Sequence, residues 1–230
     1  MSGPRFAIYF VPAPETALFQ FGSSVIGYDC YARHQTKFPP NAPLTTAGWM
    51  QVTEAPRRYG FHATLKAPFY LARESDVADL PHKLRAYAKS MAAIPSIRIK
   101  PAVLDDFVAL VPSQLSPALE NLARECVVVF DDFRAPLKQE ERQRRLSAGL
   151  SLRQAGNLER WGYPYVFDDF RFHMTLTGAL GEADRSIVFD YLRQLFDRAK
   201  INEVAVDRLC LVRQDWPGAA FHVTHQIRLG

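Results

Sequence analysis

The sequence has few cysteines and no long apolar run. Its three cysteines, Cys30, Cys126 and Cys210, are an odd number at wide spacing and include no Cys-x-x-Cys pair. This pattern argues against a disulfide framework and a zinc site, and it favours a reducing compartment. No apolar run approaches the roughly 20 residues that span a bilayer, and the run at 5–12 is too short for a secretory signal. We therefore expect a cytoplasmic protein with no membrane partner.

A strong charge and the common cofactor motifs are also missing. The formal net charge is +4, which suits an anionic substrate but does not require a nucleic-acid surface. The chain has no P-loop, no GxGxxG and no GxSxG. It also lacks the His-Glu-x-x-His zinc motif, and carboxylates are few beside the motifs described below. The sequence therefore predicts no metal ion and no cofactor.

What the sequence does contain is one strand pattern used twice. RYGFHATLKAP at 58–68 and DFRFHMTLTGAL at 169–180 each place His-x-Thr-Leu after a phenylalanine. Alternate side chains of a strand share a face, so we predict one apolar and one polar face in each strand. The predicted polar faces hold Arg58, His62, Thr64 and Lys66 in the first strand, and Arg171, His173, Thr175 and Thr177 in the second.

The segments that follow the two motif strands are also alike. A helix is predicted at 75–94 and another at 183–200, and each precedes a pair of strands, at 97–112 and 203–229. We predict an α+β fold in one domain spanning 1–230, formed by a duplicated β-α-β-β unit. Two lobes related by a pseudo-two-fold axis would carry antiparallel sheets facing a central cleft, with helices outside. Proline-rich residues 35–56 predict a loop, and residues 134–166 connect the lobes.

Two imidazoles and two hydroxyls in one cleft suit phosphodiester chemistry. Because histidine titrates near neutral pH, a neutral ring can accept a proton while a charged ring donates one. Threonine hydroxyls can hydrogen-bond the non-bridging oxygens and stabilise the charge that builds there. This scheme requires no metal, and it leaves open which histidine is the base.

The paired His-x-Thr strands resemble the two-histidine phosphoesterase superfamily. The strings PRRYGFHATLKAPF and RWGYPYVFDDFRFHMTLTGAL are similar to the subfamily encoded with bacterial phosphonate-utilisation (carbon–phosphorus lyase) operons. The resemblance implies a metal-independent cyclic phosphodiesterase in which His62 and His173 are catalytic and Thr64 and Thr175 bind the phosphate. It further implies a small sugar cyclic phosphate, such as a phosphoribosyl 1,2-cyclic phosphate, as the substrate.

Other side chains are candidates for contact with such an anion. They are Arg58, Lys66, Arg171 and Thr177 on the motif faces, with Tyr9 and Tyr59 as stacking or hydroxyl contacts. Core packing explains the two tyrosines equally well.

Two alternative functions are open from the sequence. The first is processing of RNA 2′,3′-cyclic phosphate ends, which a basic groove built from the Arg142–Arg160 segment would favour. The second is a binding module that senses a phosphate ligand without turnover, which the two intact histidines argue against. Oligomeric state and lid movement are not predicted.

Overall fold

The chain folds around one antiparallel sheet in the computed structural model, which describes residues 3–73, 76–147 and 149–230. The strands are β1 (Arg5–Phe10), β2 (Ala63–Tyr70), β3 (Ile97–Leu104), β4 (Phe107–Pro112), β5 (Met174–Thr175), β6 (Glu203–Val204), β7 (Arg208–Gln214) and β8 (His222–Arg228). The helices are α1 (Ala17–Ile26), α2 (Thr46–Val52), α3 (Glu54–Tyr59), α4 (Asp76–Ser90), α5 (Pro117–Val129), α6 (Gln139–Leu146), α7 (Leu152–Trp161) and α8 (Glu182–Arg198). None of the helices described is long and apolar enough to cross a membrane.

The sheet order differs from the predicted arrangement of lobes. The strands run β6-β3-β4-β5-β2-β1-β7-β8, and neighbours pair antiparallel throughout. The hairpin β3–β4 follows the first motif strand in the chain but pairs with the second, β5. The hairpin β7–β8 follows the second motif and joins the first through β1. The α+β class is therefore confirmed, whereas two separate sheets built from consecutive units were the wrong expectation.

The second motif strand is shorter than predicted. Of residues 170–180, only Met174 and Thr175 pair as a strand. The amides of Leu176 and Thr177 both donate to the carbonyl of Val108, at 2.9 and 3.2 Å. Because both amides use the same acceptor, the chain leaves the regular ladder at this point.

The region predicted as a loop at 35–56 contains helical structure. Helix α2 and the start of α3 lie there. Thr45 caps α2, since its hydroxyl accepts from the Gly48 amide at 3.1 Å. The buried Trp49 indole donates to the Val25 carbonyl at 2.9 Å and fixes α2 against α1. Tertiary contact thus stabilises a helix that the prolines obscure.

The predicted helices at 75–94 and 183–200 are present as α4 and α8; residue 75 lies outside the described residues. The apolar positions of both motif strands are buried, as the alternation predicts. They are Phe61, Ala63 and Leu65 in the first motif, and Phe172, Met174 and Leu176 in the second. Burying this apolar face leaves the opposite face of the two strands for polar side chains.

Candidate active site

The two motif strands lie side by side at the centre of the sheet. Ala63 pairs with Met174 in antiparallel register. Continuing that register by one residue sets Thr64 opposite His173 and His62 opposite Thr175. Side chains opposite one another on antiparallel strands share a face, with Cβ atoms roughly 5 Å apart. The fold therefore brings all four predicted catalytic residues onto one surface.

The two imidazoles are anchored in the same way. Nδ1 of His62 lies 2.8 Å from the Gly60 carbonyl, and Nδ1 of His173 lies 2.7 Å from the Arg171 carbonyl. In both cases the carbonyl belongs to the residue two positions earlier. Since a carbonyl only accepts, Nδ1 carries the proton, and in the neutral ring Nε2 presents its lone pair.

Gly60 makes the anchor of His62 possible. It lies between α3 and β2 with φ of +77°, a conformation that favours glycine. A Cβ at this position would also come within 2.7 Å of the Cys30 Cβ. The tight turn directs the Gly60 carbonyl toward His62 and lets residues 60–62 alone connect α3 to β2.

His62 is the more enclosed of the two imidazoles. Tyr9 stacks on its ring, with centroids 3.7 Å apart and planes 19° from parallel. Its Nε2 lies 3.0 Å from the Thr64 hydroxyl, which donates to it in the neutral form. Burial lowers the pKa of His62 to about 4, with a further contribution from His173 and partial compensation by the Gly60 carbonyl. The ring is therefore neutral at physiological pH.

His173 lies at the wall of a cavity. The Phe107 ring is 5.9 Å away, centroid to centroid. Within the described part of the chain, Nε2 of His173 has no hydrogen-bond partner. Burial lowers its pKa below 6.5, and the Arg171 guanidinium adds to this effect while the Arg171 carbonyl opposes it. His173 can thus present Nε2 to a ligand.

The cavity beside His173 has a volume of about 630 Å³ and also reaches Thr64. That volume is within the usual range for small-molecule sites. Its aromatic lining consists of Phe107, Tyr163, Tyr165, Phe167 and Phe170, and its charged lining of Asp105, Arg153, Asp168, Asp169 and Arg171. A larger groove, of about 890 Å³, contains neither histidine, so we assign the chemistry to the smaller cavity.

Sequence reasoning missed the wall formed by residues 163–170. Asp169 fixes it to α7, because its carboxylate accepts from Arg153 at 2.7 and 3.0 Å and from Gln154 at 3.1 Å. The aromatic string WGYPYVFDDF just before the second motif was the available signal. This string predicts part of the connecting segment and contributes to the family resemblance, but its pattern alone does not predict a cavity wall.

Lys66 does not belong to the site. It is buried, and its ammonium donates to the Val127 carbonyl at 2.9 Å and to Asp131 at 3.1 Å. Burial lowers its pKa to about 8 although Asp131 opposes the shift. The prediction of a phosphate contact is wrong here, because α5 covers this part of β2 and engages the side chain.

Arg58 and Thr177 are also misplaced in the predicted site. Arg58 lies in helix α3 rather than on the strand, is exposed, and pairs with Glu54 at 3.5 Å. The Thr177 side chain is fully buried, and its hydroxyl accepts from the Val108 amide at 3.0 Å. Alternation along a strand predicted both positions, and it fails where the backbone is not a strand.

The remaining candidates lie near the histidines. Arg171 is exposed and lines the cavity. Tyr9 stacks on His62, and Tyr59 lies 6.4 Å from it while stacking on Phe221 at 5.4 Å. Among the described residues, no cluster of three or more histidine, cysteine or acidic side chains could hold a metal ion.

A family match covers most of this architecture. Residues 64–222 match the family described as a protein of unknown function, DUF1045. The match spans β2 to the start of β8 and includes Thr64, His173 and Thr175. The chain belongs to this family.

Two curated proteins are similar over nearly the whole chain. A protein from Janthinobacterium sp. named ribose 1,5-bisphosphate phosphokinase PhnN is 39% identical over 228 residues, covering 94% of this chain and 49% of that protein. A protein of the same name from Laribacter hongkongensis is 33% identical over 229 residues, covering 98% and 52%. The chain therefore spans about half the length of these relatives. Among solved structures, a conserved protein of unknown function from Agrobacterium tumefaciens aligns with a TM-score of 0.45 at 10% identity, covering 100% of this chain and 85% of that one.

Proposed function

We propose that this protein is a cytoplasmic, metal-independent hydrolase that opens a small cyclic phosphodiester to a phosphomonoester. The observation that carries the proposal is the central register, which sets two His-x-Thr pairs on one face. The matched Nδ1 anchors support it, because they direct the Nε2 atoms away from the backbone.

The reaction follows from these groups. One neutral imidazole takes a proton from water as the water oxygen attacks phosphorus. The bond from phosphorus to one ring oxygen breaks, and that oxygen receives a proton from the other, charged imidazole. When the substrate binds, the Thr64 hydroxyl turns from Nε2 of His62 to the phosphate, which frees Nε2. The hydroxyls of Thr64 and Thr175 then donate to the non-bridging oxygens, where charge accumulates. No cofactor is consumed, since water supplies both the attacking oxygen and the net proton.

The names of the relatives suggest a substrate class. A phosphokinase needs a nucleotide site, whereas this chain has no P-loop and matches only half of those proteins. We therefore assign the kinase name to their remaining half. Hydrolysis of a phosphoribosyl 1,2-cyclic phosphate at the 2-oxygen would release ribose 1,5-bisphosphate, the compound in that name. This links the chain to the phosphonate-metabolism role that the motif strings imply.

RNA ends are the less favoured substrate. The basic segment that would extend an RNA groove is largely neutralised by carboxylates. Arg142 pairs with Glu159 at 2.6 Å, and Arg145 with Glu141 at 2.8 Å. A backbone-tracking surface needs arginines that are free to contact successive phosphates.

The test is turnover of a cyclic-phosphate panel in the presence of EDTA, followed by detection of the phosphomonoester. The panel contains ribosyl 1,2-cyclic phosphate with and without a 5-phosphate, nucleoside 2′,3′-cyclic phosphates and an RNA oligonucleotide with a cyclic end. We expect the ribosyl compounds to be preferred. Preference for the oligonucleotide would support the RNA alternative, and binding without turnover would support a sensor.

A further inference from the structure

Three tyrosines from distant parts of the chain surround the His62 side of the site. Tyr9 comes from β1, opposite Thr64 in the sheet register. Tyr59 ends α3, and Tyr163 follows α7 and lines the cavity shared by Thr64 and His173. Tyr163 was not predicted from the sequence.

One face of each phenol ring is already covered by protein. His62 stacks on Tyr9 at 3.7 Å and Phe221 on Tyr59 at 5.4 Å, while the Arg145 guanidinium lies 5.5 Å from the Tyr163 ring centroid. These rings are thus held as parts of the wall. Each ring also carries a hydroxyl at its edge that a ligand can contact.

The three hydroxyls have no hydrogen-bond partner within residues 3–73, 76–147 and 149–230. Tyr9 is buried, whereas Tyr59 and Tyr163 are half-buried. Tyrosines of similar burial elsewhere do have partners: the buried Tyr87 donates to Glu125 at 2.9 Å and the half-buried Tyr191 to the Pro40 carbonyl at 2.8 Å. Unpaired hydroxyls in three neighbouring tyrosines therefore point to a polar ligand.

The electrostatics fit a neutral ligand group. Burial raises the pKa of Tyr9, and the neighbouring phenols Tyr59 and Tyr163 raise it further. Burial likewise raises the pKa of Tyr163, where Tyr59 contributes and Arg145 opposes. Tyr9 and Tyr163 therefore stay protonated, and their hydroxyls can both donate and accept, as a sugar hydroxyl requires.

We infer that Tyr9, Tyr59 and Tyr163 form a subsite for sugar hydroxyls, with Tyr163 as a specificity-determining residue. The inference rests on the proposed function, since it names the part of the cyclic phosphate that lies beside the phosphodiester. It places the free ring hydroxyl of a ribose cyclic phosphate, rather than a stacked base, against the phenol edges.

The experiment compares Tyr163→Phe with wild type on ribosyl 1,2-cyclic phosphate and on its 3-deoxy analogue. Loss of one neutral hydrogen bond lowers kcat/KM by roughly 3- to 10-fold, and we expect that loss on the hydroxylated substrate only. Tyr191→Phe is the matched control, because its hydroxyl contacts Pro40 away from the site; it should alter neither rate.

Equal losses on both substrates would give Tyr163 a purely structural role and overturn the inference, as would no loss on either. If wild type binds these compounds without turnover, the proposed function fails. The same comparison is then made on dissociation constants by calorimetry. A hydroxyl-dependent loss in Tyr163→Phe would still support the subsite, and no binding of either compound would overturn both proposals.

Discussion

His62 and His173 occupy matching places in two similar motifs, yet their surroundings differ. Both donate Nδ1–H to the carbonyl two residues earlier. His62, however, lies under Tyr9 with Nε2 against the Thr64 hydroxyl, whereas His173 opens onto the cavity beside Arg171. The shared motif determines the orientation of the ring, while the residues packed around it determine the proton affinity.

The difference suggests a division of roles. The strongly lowered pKa of His62 makes it neutral and ready to accept a proton. Burial and Arg171 also lower the pKa of His173, but this side chain faces the cavity, where a bound phosphate anion would favour its charged form. We therefore expect His62 to be the base and His173 the acid.

The largest expected effect is loss of either imidazole. His62→Ala and His173→Ala should each lower kcat by roughly 10²- to 10⁴-fold, the usual worth of one general acid or base. The double variant should cost less than the product of the two losses, because the pair acts as a unit. His34→Ala, at an exposed position, is the control. A near-normal rate for either site variant would mean that the two motifs are not equivalent partners.

The threonines should matter somewhat less. Thr64→Val and Thr175→Val each remove one donor to the phosphate and should lower kcat by roughly 10²- to 10³-fold with little change in KM. Thr64→Val also removes the hydroxyl from Nε2 of His62, so it alone should shift the pH profile. Steady-state kinetics across pH measures both effects. Unchanged kcat in both variants would reduce the threonines to ordinary strand residues.

The pH dependence tests the assignment of roles directly. In kcat/KM, the rate should rise with pH near pH 4, where His62 loses its proton and can act as the general base. At higher pH the rate should fall as His173, the general acid, loses its proton, and this fall should lie below pH 6.5 because the pKa of His173 is lowered. In kcat, a bound anion should move this fall in rate to higher pH, because it raises the pKa of His173. The two apparent pKa values describe the coupled pair of histidines rather than either residue alone. A profile that is flat across this range would contradict shared proton transfer.

The lowered pKa of His62 also makes the folding stability of the protein depend on pH. Because the folded pKa of His62 is about 4 against 6.5 unfolded, the unfolded chain binds the proton first as the pH falls. Folding stability should therefore decrease between these values. Thermal unfolding of wild type and His62→Gln across that window measures this decrease, and the variant should show less of it.

The smallest expected effect is that of chelation. Both proton transfers and the charge stabilisation are assigned to side chains, so exhaustive EDTA treatment should leave kcat/KM unchanged. Loss of turnover that zinc or manganese restores would mean that the two histidines serve as metal ligands instead.

The sequence predicted the parts of this protein that depend on local pattern. Alternation identified the buried face of both motif strands, and apolar spacing identified α4 and α8. Strand alternation predicted the wrong side-chain positions for Arg58 and Thr177. Arg58 lies in a helix, and the chain leaves the sheet before Thr177. Alternation also predicted the wrong role for Lys66, because strand periodicity does not show that α5 covers β2 at this residue.

The sequence by itself determined that a His-x-Thr motif occurs twice with its apolar and polar side chains on opposite sides, because side-chain alternation is a property of extended backbone. Only the tertiary structure decided that these strands are neighbours in one sheet, since pairing depends on contacts between residues far apart in the chain. It likewise decided that Tyr163 reaches the site and that one imidazole is enclosed while the other faces a cavity. Burial and neighbouring charges set those properties, and neither is encoded in a motif of five residues.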